Sequence, residues 1–164
     1  MKTVYIVRHA KSSWEYEGIS DIDRPLKKRG IKDAYLISGI LKNKIERPDI
    51  FLSSSANRAL HTAVIFAGTF NFPLSNLIIK KSLYSFSDGY LVKSIMALDD
   101  GFDTAMIFSH DHGITTFVNK YGNRKITHIP TAGVVGITFD TKHWKNIKPD
   151  KGKTVLVEFP KMHR

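Results

Sequence analysis

The chain contains no cysteine among its 164 residues. This absence excludes disulfide bonds, thiolate metal ligands and a cysteine nucleophile. The sequence also lacks an apolar run of about eighteen residues, so it predicts no transmembrane helix. Its N-terminal segment has neither the long apolar stretch nor the small-residue cleavage site of a secretory signal. Together these absences favour a globular protein of the cytoplasm.

Acidic residues are few relative to basic ones. Lysine and arginine number 25, aspartate and glutamate number 15, and the formal net charge is +10. Such a charge attracts anions of several kinds, from phosphorylated molecules to nucleic acids and acidic membranes. The basic residues are scattered in short clusters, however, and no nucleic-acid-binding motif is recognisable. The sequence therefore predicts a basic surface that binds neither nucleic acid nor membrane.

Short apolar segments alternate with amphipathic ones along the chain. Strands are expected at residues 2–7, 49–52, 77–79, 104–108, 134–139 and 154–159. Helices are expected at residues 28–45, 56–70, 88–98 and 114–120. This alternation predicts an α/β fold, a three-layer α/β/α sandwich with a mostly parallel central sheet. Residues 1–164 are expected to form a single domain, in which the lysine-rich loop at residues 140–152 is the most flexible part.

Residues suited to phosphate chemistry follow three of the predicted strands. Arg8 and His9 follow the first strand, Arg58 lies in the first turn of the helix after the second, and His110 follows the fourth. Ligands of parallel sheets bind beyond the carboxyl ends of the strands, so these side chains are expected to lie close together. Neutral imidazole is a nucleophile near pH 7, and arginine stabilises charge on phosphoryl oxygens. His9 is thus a candidate nucleophile, although the spacing alone also permits structural roles.

Four sequence motifs, in this order, resemble those of the histidine phosphatase superfamily, which includes the phosphoglycerate mutases. Val7 to Ala10 reads Val-Arg-His-Ala, directly after the first strand. Arg24 to Gly30 fits Arg-Pro-Leu-x-x-x-Gly, and Ser54 to Ala63 fits Ser-x-x-x-Arg-Ala-x-x-Thr-Ala. The fourth motif is the histidine at position 110 after a later strand.

The resemblance implies a phosphoglycerate mutase-like fold and a phosphohistidine intermediate formed on His9. It also implies that Arg8, Arg58 and His110 take part in catalysis and bind the phosphate. The chemistry of the superfamily needs no metal or other cofactor. The implied partner is a phosphorylated protein or a small phosphorylated substrate, and the sequence favours a monomer without fixing the oligomeric state.

Two segments, Arg8 to Trp14 and Asp23 to Gly30, look like those of the SixA group of phosphohistidine phosphatases. The acidic segment that supplies the proton donor of mutases and acid phosphatases is not recognisable. An alkoxide leaving group needs such an acid, whereas imidazole, with a conjugate acid near pKa 6.5, departs more easily. The missing acid favours phosphohistidine on a protein as the substrate. A phosphatase of a small phosphometabolite and an inactive phosphate-binding adaptor stay open as alternatives.

Lesser roles are assigned to a few further residues. Ser13 and Arg24 are candidate phosphate ligands, although Arg24 could instead pair with Asp21 or Asp23. Asp88, at a predicted helix start, is the candidate substitute for the missing proton donor.

Two clusters have ordinary structural interpretations. The segment His110-Asp111-His112 resembles a set of metal ligands, but no third ligand is evident and no metal is expected. Ser54 and Ser55 are expected to cap the following helix rather than to act as nucleophiles.

Overall fold

The computed structural model describes residues 1–164, which fold around one six-stranded sheet. The strands are β1 (Lys2–Arg8), β2 (Ile50–Ser54), β3 (Ile78–Lys80), β4 (Thr104–Ser109), β5 (Val134–Phe139) and β6 (Lys153–Glu158). The α-helices are α1 (Lys28–Lys42), α2 (Asn57–Thr69), α3 (Gly89–Met96) and α4 (Gly113–Tyr121). Each predicted strand and helix is present to within a few residues.

The sheet is mostly parallel, as the sequence predicts. Its strand order is β3-β2-β4-β1-β5-β6. The first four strands in this order run parallel, and β5 and β6 run antiparallel to their neighbours. Helix α1 packs with α2, and α3 packs with α4. The connections through α1 and α2 run toward the β3 edge of the sheet, and those through α3 and α4 run toward the β6 edge. Because crossover connections are right-handed, the two pairs of helices lie on opposite faces, and the fold is a three-layer sandwich.

Strand β1 lies in the middle of this sheet, between β4 and β5. Its residues Val4, Ile6 and Val7 are fully buried, because helices cover both faces. They belong to a hydrophobic cluster of 38 buried residues. None of the four helices combines the length and the apolar character needed to cross a bilayer.

Two local expectations were wrong. Helix α2 begins with Ala56 at its capping position, and no side chain caps it, so Ser54 and Ser55 are not helix caps. The loop at residues 140–152 is anchored at its middle rather than free. Trp144 is fully buried there, and its indole N–H donates to the Phe102 carbonyl at 2.9 Å. Lysine content predicts exposure of a loop but not whether one aromatic residue within it reaches the core.

The loop after β1 runs directly against the start of α1. The Lys27 N–H donates to the Lys11 carbonyl at 2.9 Å, and the Ser13 N–H donates to the Pro25 carbonyl at 2.8 Å. Gly30, in the first turn of α1, comes so close to this loop that a Cβ on it would lie 2.2 Å from the same Lys11 oxygen. The glycine therefore allows helix and loop to pack without a side chain between them.

Replacing Gly30 with alanine should destabilise the protein even though alanine is the better helix former. The added methyl group meets backbone that cannot rotate away, and we expect a loss of about 1–3 kcal/mol in the free energy of unfolding. Gly39→Ala in the same helix is the matched control, because nothing lies within 4 Å of a Cβ there. This variant should gain up to about 1 kcal/mol. Urea denaturation of both variants tests the pair, and equal shifts would contradict the close approach at Gly30.

Candidate active site

His9 follows the end of β1 and is held in one orientation. Its Nδ1 lies 2.8 Å from the Ala10 carbonyl oxygen. A carbonyl only accepts, so Nδ1 carries the proton and Nε2 keeps a free lone pair. The Ala10 N–H donates in turn to Thr62 Oγ1 at 2.9 Å, and this hydroxyl donates to the Arg58 carbonyl at 2.7 Å. Helix α2 thereby holds the backbone of Ala10, and the carbonyl of Ala10 orients the imidazole of His9.

The imidazole of His9 is neutral at physiological pH. Burial lowers its pKa to about 4, although the hydrogen bond to Ala10 opposes the shift. The charges of Arg58, Arg8 and Arg24 lower the pKa further. A neutral ring with an unprotonated Nε2 is the form that can attack phosphorus.

His9 lines a cavity of about 420 Å³ whose walls are mostly polar and basic. The lining residues are Arg8, His9, Lys11, Ser12, Trp14, Asp21, Arg24, Lys27, Arg58, Phe86, Asp111 and Thr131. Five of them carry a permanent positive charge and two carry a carboxylate. The cavity is therefore suited to an anion with more than one negative charge.

Three arginines reach this cavity from different elements. Arg58, in the first turn of α2, donates to the carbonyl and the carboxylate of Asp21 at 2.7 and 3.0 Å. Arg8 donates through Nη1 to the Ile129 carbonyl at 2.9 Å. The guanidinium of Arg24 stacks 3.4 Å from the centre of the Trp14 ring and pairs with Asp21 at 3.3 Å. Arg24 thus both lines the site and pairs with Asp21, the two roles that the sequence left open.

Several buried nitrogen atoms of this region have no hydrogen-bond partner. They are Nε of Arg8, Nη1 of Arg24, Nε of Arg58 and Nδ1 of His110. Buried donors are nearly always paired in proteins, so unpaired ones clustered around one cavity point to a ligand rich in acceptors. A tetrahedral oxyanion such as phosphate has that chemistry, and guanidinium groups bind it well.

His110 lies beside His9, with 5.2 Å between the ring centres. The two histidines are neighbours because Arg8 and Ser109, which precede them, are paired in the parallel register of β1 and β4. Burial lowers the pKa of His110 to about 3, with a further contribution from the neighbouring His9. It is therefore also neutral, and one of its two ring nitrogens carries a proton.

The hydroxyl of Ser54 determines which nitrogen that is. Ser54 Oγ lies 2.8 Å from His110 Nε2 and accepts the Ala56 N–H at 3.1 Å. The only remaining partner for the hydroxyl hydrogen is Nε2, so the ring accepts there and carries its own proton on Nδ1. The unpaired Nδ1 of His110 is thus a hydrogen-bond donor next to His9.

Three of the residues assigned from the sequence do not line the cavity, namely His110, which lies beside His9, and also Asp88 and Ser13. Asp88 forms an ion pair with Lys120 at 3.0 Å, because it precedes α3 on the side that packs against α4. Its carboxylate is engaged with Lys120 and does not line the cavity, so the structure gives no support to its role as proton donor. Ser13 is buried, accepts the Glu15 N–H through Oγ at 3.1 Å and lines a neighbouring groove instead. No group of three or more histidine, aspartate or glutamate side chains is arranged to hold a metal ion.

The sequence did not reveal the role of Tyr84. Its hydroxyl donates to the Asp21 carboxylate, and its ring lies 5.3 Å from the ring of His110. This hydrogen bond, followed by those from Arg58, lowers the pKa of Asp21 below its ordinary value. Tyr84 lies in an irregular segment after β3, where no periodicity or motif would single it out.

Known proteins resemble this chain in sequence over part of its length and in fold over nearly all of it. Residues 4–83 match the family model of the histidine phosphatase superfamily (branch 1). The match covers 80 of the 164 residues, so this chain is similar to the superfamily over about half of its length. An uncharacterised protein of Mycobacterium tuberculosis is 46% identical over 56 residues, which are 34% of this chain and 35% of that protein. The match thus covers about a third of the relative's length.

Solved structures with the same fold include two complexes with phosphate-like oxyanions. The protein histidine phosphatase SixA complexed with tungstate superposes with a TM-score of 0.84, 21% identity and 99% coverage of both chains. A mycobacterial glucosyl-3-phosphoglycerate phosphatase complexed with VO3 gives a TM-score of 0.69 and 11% identity, covering 97% of this chain and all of the other. At these identities the likeness shows the fold, which is phosphoglycerate mutase-like as predicted.

The two neutral histidines make stability depend on pH. The folded-state pKa values, about 4 for His9 and about 3 for His110, lie below the ordinary value of 6.5. Between pH 6.5 and about 4 the unfolded chain binds more protons, so the free energy of unfolding falls as the pH falls. Each histidine contributes up to about 1.4 kcal/mol per pH unit. Urea denaturation at pH 7 and pH 5 should show a smaller loss for His110→Asn than for the wild type, and equal losses would contradict the assignment.

Replacing Ser54 with alanine should change the tautomer of His110. Without the hydroxyl, nothing obliges Nε2 to accept, and the proton should redistribute between the two nitrogens. Nitrogen-15 NMR of the imidazole groups measures this directly. Ser55→Ala is the control, because Ser55 Oγ is buried without a hydrogen-bond partner. We expect the wild type and Ser55→Ala to show Nδ1–H; the same spectrum for Ser54→Ala would refute the role of Ser54.

Proposed function

We propose that this protein is a phosphatase that removes phosphate from phosphohistidine on a protein, with His9 as the nucleophile. The observation that carries the proposal is the neutral His9 with a free Nε2, held in a cavity with three arginines. The match of residues 4–83 to the histidine phosphatase superfamily supports a phosphatase activity. The likeness to the SixA fold is compatible with a phosphohistidine substrate.

The reaction takes place in two steps that use the same groups. In the first, Nε2 of His9 forms a bond to phosphorus while the bond from phosphorus to the leaving nitrogen breaks, and the substrate ring, which carries a proton on its other nitrogen, leaves as neutral imidazole. In the second, water attacks the phosphorylated His9, its proton is released, and inorganic phosphate leaves with the imidazole restored. Arg8, Arg58 and the Nδ1–H of His110 stabilise the charge on the equatorial oxygens in both steps.

The carboxylates of the cavity favour phosphohistidine over phosphate esters. Asp21 accepts hydrogen bonds from Tyr84 and Arg58, which hold its pKa below the ordinary value. Asp111 accepts hydrogen bonds from Thr115. Both are arranged as acceptors rather than as proton donors. A leaving imidazole does not need the strong general acid that an alkoxide requires.

A small phosphometabolite is the second candidate substrate. The fold is shared with a glucosyl-3-phosphoglycerate phosphatase, and the cavity of about 420 Å³ is large enough for a small phosphorylated compound. This alternative uses the same nucleophile and the same arginines, but it needs a proton for the leaving alkoxide.

Kinetics with two substrates test the proposal. A phosphohistidine peptide should be hydrolysed with a kcat/KM about 100-fold above that of an alkyl phosphate, the size of a typical general-acid contribution. Equal values would favour the phosphometabolite alternative. His9→Ala should abolish both turnover and the acid-labile phosphoenzyme trapped from labelled substrate. His61→Ala is the control, because His61 lies on α2 outside the cavity. A phosphatase activity that survives in His9→Ala would exclude His9 as the nucleophile.

A further inference from the structure

A second depression, here called the basic groove, lies beside the cavity that contains His9. It has a volume of about 790 Å³. Its lining residues are Ser13, Trp14, Glu15, Tyr16, Leu26, Lys27, Lys28 and Arg29. None of these residues belongs to the phosphate chemistry described above, except that Trp14 and Lys27 also line the cavity. The two depressions are therefore adjacent, with these two side chains at their common border.

The wall between groove and cavity is rigid. Ser12 and Leu26 form an antiparallel bridge. The Ser13 N–H donates to the Pro25 carbonyl beside this bridge, and the close approach at Gly30 holds the start of α1 against the same loop. The groove is thus a fixed feature of the fold, formed where the loop after β1 meets α1.

The groove has positive charge without compensating partners. Lys27, Lys28 and Arg29 are exposed, and none of them forms an ion pair in the structure. Glu15 is the single acidic residue of the lining. The groove therefore has two more positive than negative charges, and these charges are free to pair with an acidic ligand.

Aromatic rings are exposed at the junction of groove and cavity. Trp14 is 75% exposed and Tyr16 is 52% exposed. Aromatic residues are enriched where proteins bind other chains, because a large rigid ring buries much area at a small entropic cost. A phosphate group bound in the cavity would leave Tyr16 without a contact, because Tyr16 lines the groove and not the cavity. The combination suits a polypeptide that continues from the cavity into the groove.

We propose that the basic groove binds an acidic stretch of the substrate polypeptide, next to the residue whose phosphate enters the cavity. This inference rests on the proposed function and adds a preference among phosphoproteins. Aspartate and glutamate side chains of the substrate pair with Lys28 and Arg29, while the neighbouring backbone packs on Trp14 and Tyr16. Rim charges of this kind act mainly on encounter and affinity, so they raise kcat/KM without changing the chemical step.

Two synthetic phosphohistidine peptides of equal length test the preference. One has aspartate and glutamate on both sides of the phosphohistidine, and the other has lysine. We expect the wild type to hydrolyse the acidic peptide with a kcat/KM about tenfold higher, which corresponds to about 1.4 kcal/mol. The difference should lie in KM and should shrink at high salt.

The double substitution Lys28→Glu and Arg29→Glu identifies the surface responsible. Glutamate at the start of α1 is compatible with the helix dipole, so the variant should fold. It should lose the preference for the acidic peptide while hydrolysing phosphoramidate, a small anion, as fast as the wild type. The matched control is Lys145→Glu with Lys148→Glu, two exposed lysines of the loop anchored by Trp144. This control makes the same change in net charge and should keep the preference.

The possible failures are distinguishable. If neither peptide is hydrolysed while an alkyl phosphate is, the proposed function itself is wrong. If both peptides are hydrolysed equally well by the wild type, the basic groove does not select the substrate. If the two double variants lose the preference to the same extent, net charge rather than the groove is responsible, and the inference fails.

Discussion

Positive charge concentrated beyond the end of β1 is the constraint on which the rest of the site depends. Arg8, Arg24 and Arg58 approach one cavity from three segments, and only Asp21 and Asp111 oppose them with negative charge. Buried charges of one sign are costly unless they are paired. The arrangement keeps His9 and His110 unprotonated, because a further positive charge there would be both desolvated and repelled. The same field that disfavours imidazolium favours an incoming oxyanion.

The fold assembles this site from a small number of strand ends and one helix. Parallel pairing of β1 with β4 places the two histidines side by side, and β2 next to β4 presents the hydroxyl that orients the second ring. Helix α2 supplies Arg58 and, one turn later, Thr62, which reaches back to the chain after β1. Three strand ends and one helix start are sufficient to orient both rings. Substitutions that displace these ends should therefore affect the site more than changes elsewhere in the sheet.

The sequence predicted what depends on local pattern and missed what depends on tertiary contact. Strands and helices followed from alternation and apolar periodicity, and residues at strand ends could be assembled because the topology of such sheets is restricted. The ion pair of Asp88 could not be foreseen because its partner, Lys120, lies on another helix. Tyr84 was missed because its contact with Asp21 joins irregular segments. The loop around Trp144 was expected to be flexible because of its many lysines, but the buried ring of Trp144 anchors it.

The hydrogen bonds between Arg58 and Asp21 have a consequence for ligand exchange. A phosphate that draws on the same guanidinium donors competes with a carboxylate of the protein, not only with water. Arg58 then exchanges one anionic partner for another instead of giving up water alone. Binding of phosphate thus resembles ion exchange, and the carboxylate of Asp21 pairs with Arg58 again when the phosphate leaves. For the proposed reaction, this competition implies weaker retention of inorganic phosphate than in a pocket lined by arginines alone.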